Sequence, residues 1–276
     1  MTSIETIAKK VQSNGRHAFF LDIDGTMIVA LAENGVSPRL AKAISDGQKK
    51  GHMFFVNTGR AYGYIPPSLL ASADFDGVVS GLGGYITHRG KVIHSSFLTE
   101  KTVRSLCEYC EEHGESVIFE CEERDEHGGR VTIGDSGFFN ARSDFAKKED
   151  VYDAIKSMHP IKITVPYVPC EEYAAFLEKE FDMSYIKPIY AEGAYIGNNK
   201  GTAIYKTCDL LGIPYENTVA VGDSDNDVKM LSCAAISVAM GNAPEHLKAM
   251  TTLVCDRVEN DGAAKLIETL VGLEKK

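Results

Sequence analysis

Ala18-Phe19-Phe20-Leu21-Asp22-Ile23-Asp24-Gly25-Thr26-Met27-Ile28-Val29 is an apolar run of strand length that stops at two aspartates one residue apart. Gly25 and Thr26 follow them. A short apolar run bounded by turn chemistry reads as a buried strand. Ligands of open α/β sheets bind outside the carboxyl ends of the strands. Asp22 and Asp24 are therefore expected at a site, against the plainer reading of an Asx turn that closes an ordinary strand.

Working outward, Ser37-Pro38 supplies a cap and a first-turn proline for a helix over 37–50, with Leu40, Ala43 and Ile44 at helical spacing. His52–Val56 reads as a second buried strand and runs into Asn57-Thr58-Gly59-Arg60. A helix disturbed at Pro66-Pro67 follows, then a third strand over Asp76–Ser80. This alternation predicts a parallel, doubly wound sheet. Over about 86–190 the pattern changes to hairpins, short strands and amphipathic helices, including a helix over 99–113. The charge run Glu122–His127 reads as a solvated hairpin. The βα alternation resumes at Lys200, and the strand Thr218–Val221 ends in Gly222-Asp223-Ser224-Asp225-Asn226-Asp227. The expected fold is α/β: a doubly wound parallel-sheet (Rossmann-like) core over 1–84 and 191–276, with an α+β domain inserted over 85–190.

The chain has 276 residues, a formal charge of -10 and a pI near 5.3. Such an acidic balance disfavours nucleic acid and anionic membrane as partners. Seven cysteines with no framework spacing fit a reducing compartment. Cys107 and Cys110 form a C-x-x-C, but in a helical pattern with no second pair, so they read as a helix-face coincidence. No run reaches membrane-span length and no apolar leader begins the chain. A cytoplasmic, soluble monomer or homodimer is expected.

Two acid clusters, Asp22/Asp24 and Asp223/Asp225/Asp227, end apolar strands and can converge if the strands share a sheet. Clustered carboxylates need a hard cation, and Mg²⁺ suits one or two protein carboxylates plus waters and a substrate phosphate. A calcium loop over 223–234 fails, because Val228 stands where glycine is required and Ala234 where glutamate is. An ionised Asp beside Mg²⁺ can attack phosphorus. A second acid, for which Asp24 is the natural candidate, must protonate the leaving oxygen and later activate water. Thr58-Gly59, at a strand-to-helix junction, can hold an anion, and Lys200 can add a point charge. Taken singly, Thr58 also reads as a cap and Lys200 as a surface lysine. Gly81-Leu82-Gly83-Gly84 lacks the spacing of a dinucleotide fingerprint, and His52 reads as structural.

Together the motifs Asp22-Ile23-Asp24-Gly25-Thr26, Thr58-Gly59-Arg60, Lys200-Gly201-Thr202-Ala203 and Gly222–Asp227, in this order, resemble the haloacid dehalogenase superfamily of phosphatases. Met230-Leu231, Val238–Ala243 and Asp261-Gly262 look like its Cof-type subgroup. The resemblance implies a Mg²⁺-dependent phosphatase acting on a small phosphorylated metabolite, a sugar phosphate by preference, through an aspartyl-phosphate. It makes Asp22 the nucleophile and a metal ligand, and Asp24 the acid/base, with its backbone carbonyl on the metal. Thr58, Gly59, Lys200 and Asn226 would bind the phosphoryl group, and Asp223 and Asp227 would complete the metal site. The inserted domain would be the cap that selects the leaving group, with Arg124, Arg130 or Tyr185 as candidate contacts. Gly83-Gly84-Tyr85 departs from the Asn-Gly-Ala common in the family. Dehalogenases lack the second acid, and the ion-pumping ATPases need membrane helices. The alternatives carried are a phosphosugar mutase and a non-catalytic binding protein on the same fold.

Overall fold

The computed structural model describes residues 3–29, 35–123, 129–134, 147–186 and 189–273. In chain order its strands are β1 (Ala18–Leu21), β2 (Met53–Asn57), β3 (Gly77–Ser80), β4 (Tyr85–His88), β5 (Lys91–Ser95), β6 (Val117–Cys121), β7 (Arg130–Ile133), β8 (Pro160–Val165), β9 (Phe181–Ile186), β10 (Tyr190–Tyr195), β11 (Thr218–Gly222), β12 (Ile236–Ala239) and β13 (Leu253–Val254). They form an eight-stranded sheet in the order β13-β12-β11-β1-β2-β3-β4-β5 and a five-stranded sheet in the order β7-β6-β8-β10-β9.

Every residue of β1, β2 and β11 is buried, because helices cover both faces of the sheet. Alternate side chains point to opposite faces of a strand. Phe19, Leu21, Phe54, Val56, Val219 and Val221 therefore pack on one side, with the helices Ile4–Ser13, Pro38–Lys49 and Gly262–Leu270. Ala18, Phe20, Phe55 and Ala220 pack on the other, with the helices Lys200–Leu211, Val228–Cys233 and Glu245–Met250. This two-sided burial is why these strands read as continuous apolar runs rather than alternating ones. Phe19 stacks on Phe54 with ring centroids 4.8 Å apart, and Phe20 on Phe55 at 5.3 Å. Truncating one such buried ring costs about 3–5 kcal/mol.

The second sheet has one apolar face. Val117, Phe119, Cys121, Val131, Ile133, Ile163 and Val165 pack there against the helices Glu100–His113, Lys148–Ala154 and Glu171–Leu177. Cys107 and Cys110 lie within this core, and burial pushes each thiol up to about 12. They are free, buried thiols with a packing role.

The strands nearest the two ends of the inserted segment pair into different sheets. The hairpin β4–β5 pairs with β3 in the eight-stranded sheet, so residues 85–95 extend the core sheet. β10 pairs with β8 and β9, so residues 191–195 belong to the five-stranded sheet. Strand pairing is a long-range property that local apolar patterns do not encode. Pro66 and Pro67 split the expected helix into a 3₁₀ turn at Tyr62–Tyr64 and a helix at Pro67–Ser72. The residue before a proline is pushed to extended backbone, and Ile65 lies at φ -75°, ψ 126°. Residues 124–127 of the charge run lie outside the described residues.

Candidate active site

β1 lies between β11 and β2, all parallel, with Leu21 opposite both Val221 and Val56. That register brings Asp22 beside Gly222 and Asn57, so the acids after β1 and β11 and the hydroxyl of Thr58 emerge at one end of the sheet. Gly25 adopts φ +76°, and a Cβ there would lie 2.1 Å from Asp223 Oδ2. Glycine is thus required for the turn to approach the second acid cluster. Asn242 braces the junction. Its amide donates to Gly25 O at 2.8 Å and to Asp223 Oδ2 at 3.2 Å, and its oxygen accepts from Val258 N at 3.0 Å.

Lys200 opens its helix behind the Asn199 capping box, and Asn57 Nδ2 donates to its carbonyl at 3.0 Å. The Lys200 ammonium, buried to 1% exposure, bridges Asp22 Oδ1 and Asp227 Oδ1 at 2.7 Å each and reaches Asn226 Oδ1 at 3.2 Å. Asp227 Oδ2 accepts from the Asp223 and Ser224 backbone amides at 2.9 and 3.2 Å. One carboxylate oxygen from each of Asp22, Asp223 and Asp227 lies within 4.8 Å of the others.

The electrostatics of this cluster are uneven. Burial, then repulsion from Asp227, pushes the Asp22 carboxyl well above its ordinary value, against the pull of Lys200. Burial and Asp227 push Asp223 up to about 6. Burial alone would lower Lys200, but Asp22 and Asp227 outweigh it and hold the ammonium charged. Three carboxylates share one ammonium, and a divalent cation would balance them. An all-oxygen donor set of this kind fits Mg²⁺.

Asp24 turns away from that cluster. Arg60 grips it with two hydrogen bonds, Nε to Oδ2 at 2.9 Å and Nη2 to Oδ1 at 2.7 Å. Both residues line a cavity of about 170 Å³ between the two sheets, with Asp22, Thr58, Gly59 and Asn226 on the core side. Tyr64, Glu120, Arg130, Lys162, Thr164, Tyr190 and Glu192 complete its wall.

The structure thus brings together Asp22, Asp24, Thr58, Gly59, Lys200, Asn226, Asp223 and Asp227. Asp225 stands apart, exposed and paired with His246 at 2.5 Å. Of the expected cap contacts, Arg130 lines the cavity. Tyr185, on the edge strand β9, instead donates to Glu178, and Arg124 lies outside the described residues. His52 sits at the opposite end of the sheet, where its Nδ1 accepts from His17 N at 3.2 Å. Sequence reasoning missed Arg60 as the partner of Asp24, Asn57 and Asn242 as braces, and the polar row Glu120, Lys162, Thr164 and Glu192. A signal for part of that row existed: in β8, Lys162 and Thr164 alternate with Ile161, Ile163 and Val165, as on a strand whose second face is polar.

Residues 19–267 match the family model described as haloacid dehalogenase-like hydrolase. The chain belongs to that family, in its Cof-type branch. The curated protein "Putative phosphatase YkrA" of Bacillus subtilis (strain 168) is 26% identical over 256 residues, which cover 91% of this chain and 96% of that one. A solved phosphatase of the haloalkanoate (HAD) superfamily, BT1666 of Bacteroides thetaiotaomicron, superposes with a TM-score of 0.79 at 22% identity, covering 95% of this chain and 97% of that one. The HAD subclass IIB sugar phosphatase BT4131 superposes with a TM-score of 0.73 at 25% identity, covering 94% and 100%. This haloacid dehalogenase-like hydrolase is an enzyme of the phosphatase type, and its homologues point to phosphorylated small molecules as substrates. No helix among the described residues is long and apolar enough to cross a membrane.

Proposed function

We propose that this hydrolase is a Mg²⁺-dependent phosphomonoesterase for a small phosphorylated metabolite, a sugar phosphate by preference, working through an aspartyl-phosphate on Asp22. The observation that carries the reading is the Asp22 carboxylate itself. It is 3% exposed, faces the cavity, and is held by Lys200 beside two further carboxylates.

In this reading Asp22, Asp223 and Asp227, with the backbone carbonyl of Asp24, would hold Mg²⁺. When bound, the ion screens the repulsion between Asp22 and a phosphate dianion and polarises a phosphoryl oxygen. An Asp22 oxygen attacks phosphorus while Lys200, Thr58, the Gly59 backbone and Asn226 orient the phosphoryl group. Asp24 gives a proton to the departing alkoxide. It then takes one from the water that attacks the aspartyl-phosphate, which returns Asp22 and releases phosphate. Arg60 fixes the direction of the ionised Asp24 carboxylate as it takes the proton from water, and in the first step the oxygen that carries the proton must be free of that grip. The wall formed by the second sheet excludes bulk water from the transfer.

The test is phosphate release from a panel of phosphorylated metabolites, with and without Mg²⁺, for the wild type and Asp22→Asn. Release that requires Mg²⁺ and disappears in Asp22→Asn is expected. Release that survives the substitution would remove Asp22 from the chemistry.

A further inference from the structure

The cavity-facing side of the second sheet is polar. Glu120 of β6 stands opposite Lys162 of β8, and Thr164 of β8 opposite Glu192 of β10. All four are at least nine-tenths buried. Lys162 Nζ contacts Glu192 Oε2, lies 3.6 Å from Glu120 Oε1, and donates to Gly59 O at 3.1 Å. Thr164 Oγ1 donates to Glu120 Oε1 at 2.7 Å. The wall is therefore tied directly to the Thr58-Gly59 segment.

The cations lining the cavity are Arg60, Arg130 and Lys162, and the carboxylates are Asp22, Asp24, Glu120 and Glu192. Asp22 is held by Lys200, and the remaining three charges of each sign cancel. Arg60 is taken up by Asp24, and Lys162 by Glu192 and Glu120. Arg130 lies over the Tyr64 ring at 3.6 Å. Burial raises the Glu120 carboxyl, but Lys162 and Arg130 outweigh it and keep the group ionised. Burial likewise lowers Lys162, and the two glutamates more than restore it.

A leaving group with its own carboxylate or second phosphate would have to bury an extra negative charge beside Glu120 and Glu192. An apolar leaving group would offer these buried charges no hydrogen bonds. Hydroxyl groups suit the wall, since they donate to spare carboxylate lone pairs and accept from the ammonium. The cavity is also smaller than the roughly 300–1,000 Å³ of drug-sized sites, which suits a single small metabolite. Resting on the phosphatase reading above, we infer that Glu120, Lys162, Thr164 and Glu192 read the leaving group and select an uncharged polyol monophosphate over phosphorylated carboxylates and bisphosphates.

The test is calorimetric binding to the Asp22→Asn protein in the presence of Mg²⁺. The probes are glucose 6-phosphate, ribose 5-phosphate and glycerol 3-phosphate, set against phosphoglycolate and fructose 1,6-bisphosphate. The best polyol monophosphate is expected to bind about tenfold or more tighter than either anionic competitor. Adding Glu192→Gln, which leaves Lys162 with one carboxylate fewer, is expected to weaken the polyol phosphate and strengthen phosphoglycolate. The ratio should fall about tenfold. Glu120→Gln is the second variant should the first not fold, with folding read by circular dichroism. A merely structural lesion would weaken both ligands alike. Phosphoglycolate or the bisphosphate binding as tightly as the best polyol phosphate, or a ratio unmoved in the variants, overturns the inference. Wild-type turnover is read separately: no phosphate release from any compound defeats the phosphatase reading, whereas the binding ratio bears on the leaving group alone.

Discussion

Arg60 holds Asp24 in a two-point grip, with Nε and Nη2 on the two carboxylate oxygens at 2.9 and 2.7 Å. A bidentate pair fixes direction as well as distance, which a lysine ammonium cannot reproduce. Arg60→Lys is therefore expected to lower kcat by about 10²-fold, within the range that a positioned general acid supplies. Steady-state kinetics on the best substrate check this. A kcat equal to the wild-type value would mean that Asp24 needs no such guide.

Lys200 is the only ammonium between Asp22 and Asp227 among the described residues. Lys200→Met leaves buried carboxylates facing one another, and breaking such a pair costs about 3–5 kcal/mol. Urea unfolding without metal should show this loss. Mg²⁺ should recover part of it, because a ligand of the folded state at 100 times its Kd adds about 2.7 kcal/mol. The same addition should stabilise the wild type and leave Asp223→Asn nearly unmoved. A Mg²⁺ shift of wild-type size in Asp223→Asn would place the ion elsewhere.

Gly25 combines a left-handed backbone with the close approach to Asp223. Gly25→Ala should cost about 1–3 kcal/mol in strain and displace the Asp223 carboxylate. The expected result is a lower melting temperature together with weaker Mg²⁺ binding by calorimetry. A variant with wild-type metal affinity would show that the turn can move without disturbing the acids.

His52 gives a pH dependence remote from the site. Burial, with smaller contributions from His17 and Lys50, holds its imidazole down to about 4, against an ordinary value of about 6.5. Its Nδ1 must stay unprotonated to accept the His17 N–H. Between those two values the unfolded chain binds the proton and the folded one does not. The contribution is therefore complete above about pH 6.5 and is lost as pH falls toward about 4. A loss on the order of 2 kcal/mol is expected, and His52→Asn should flatten it. Parallel urea melts of both proteins at about pH 7 and pH 5 decide the matter; equal slopes would exclude His52 as the source.

Cavity contacts from the second sheet are the least legible in local pattern. Of three arginine and tyrosine candidates, Arg130 reached the cavity, while Tyr185 lies on an edge strand and pairs with Glu178. Of the residues that line the wall, only Lys162 and Thr164 show a local pattern, the alternation of β8, while Glu120 and Glu192 show none. The four become a surface only when β8 lies between β6 and β10 in register. The sheet membership of β4, β5 and β10 has the same origin, since these strands differ from their neighbours in partner rather than in composition.

What the amino-acid order determines by itself is local and chemical. Apolar runs of strand length end in acids, and caps and prolines start helices. Gly25 follows Asp24, and four motifs succeed one another in the order of a known family. These are contained in neighbouring residues, because propensity, turn chemistry and periodicity act over a few positions. Only the tertiary structure decided that Asp22, Asp223, Asp227 and Lys200 meet, that Asp24 faces Arg60, and that a polar row of the second sheet lines the same cavity. Lys200 lies 178 residues from Asp22 and Lys162 lies 103 from Gly59. Contacts of that span are set by strand order and register, which depend on burying the whole core at once and not on any single segment.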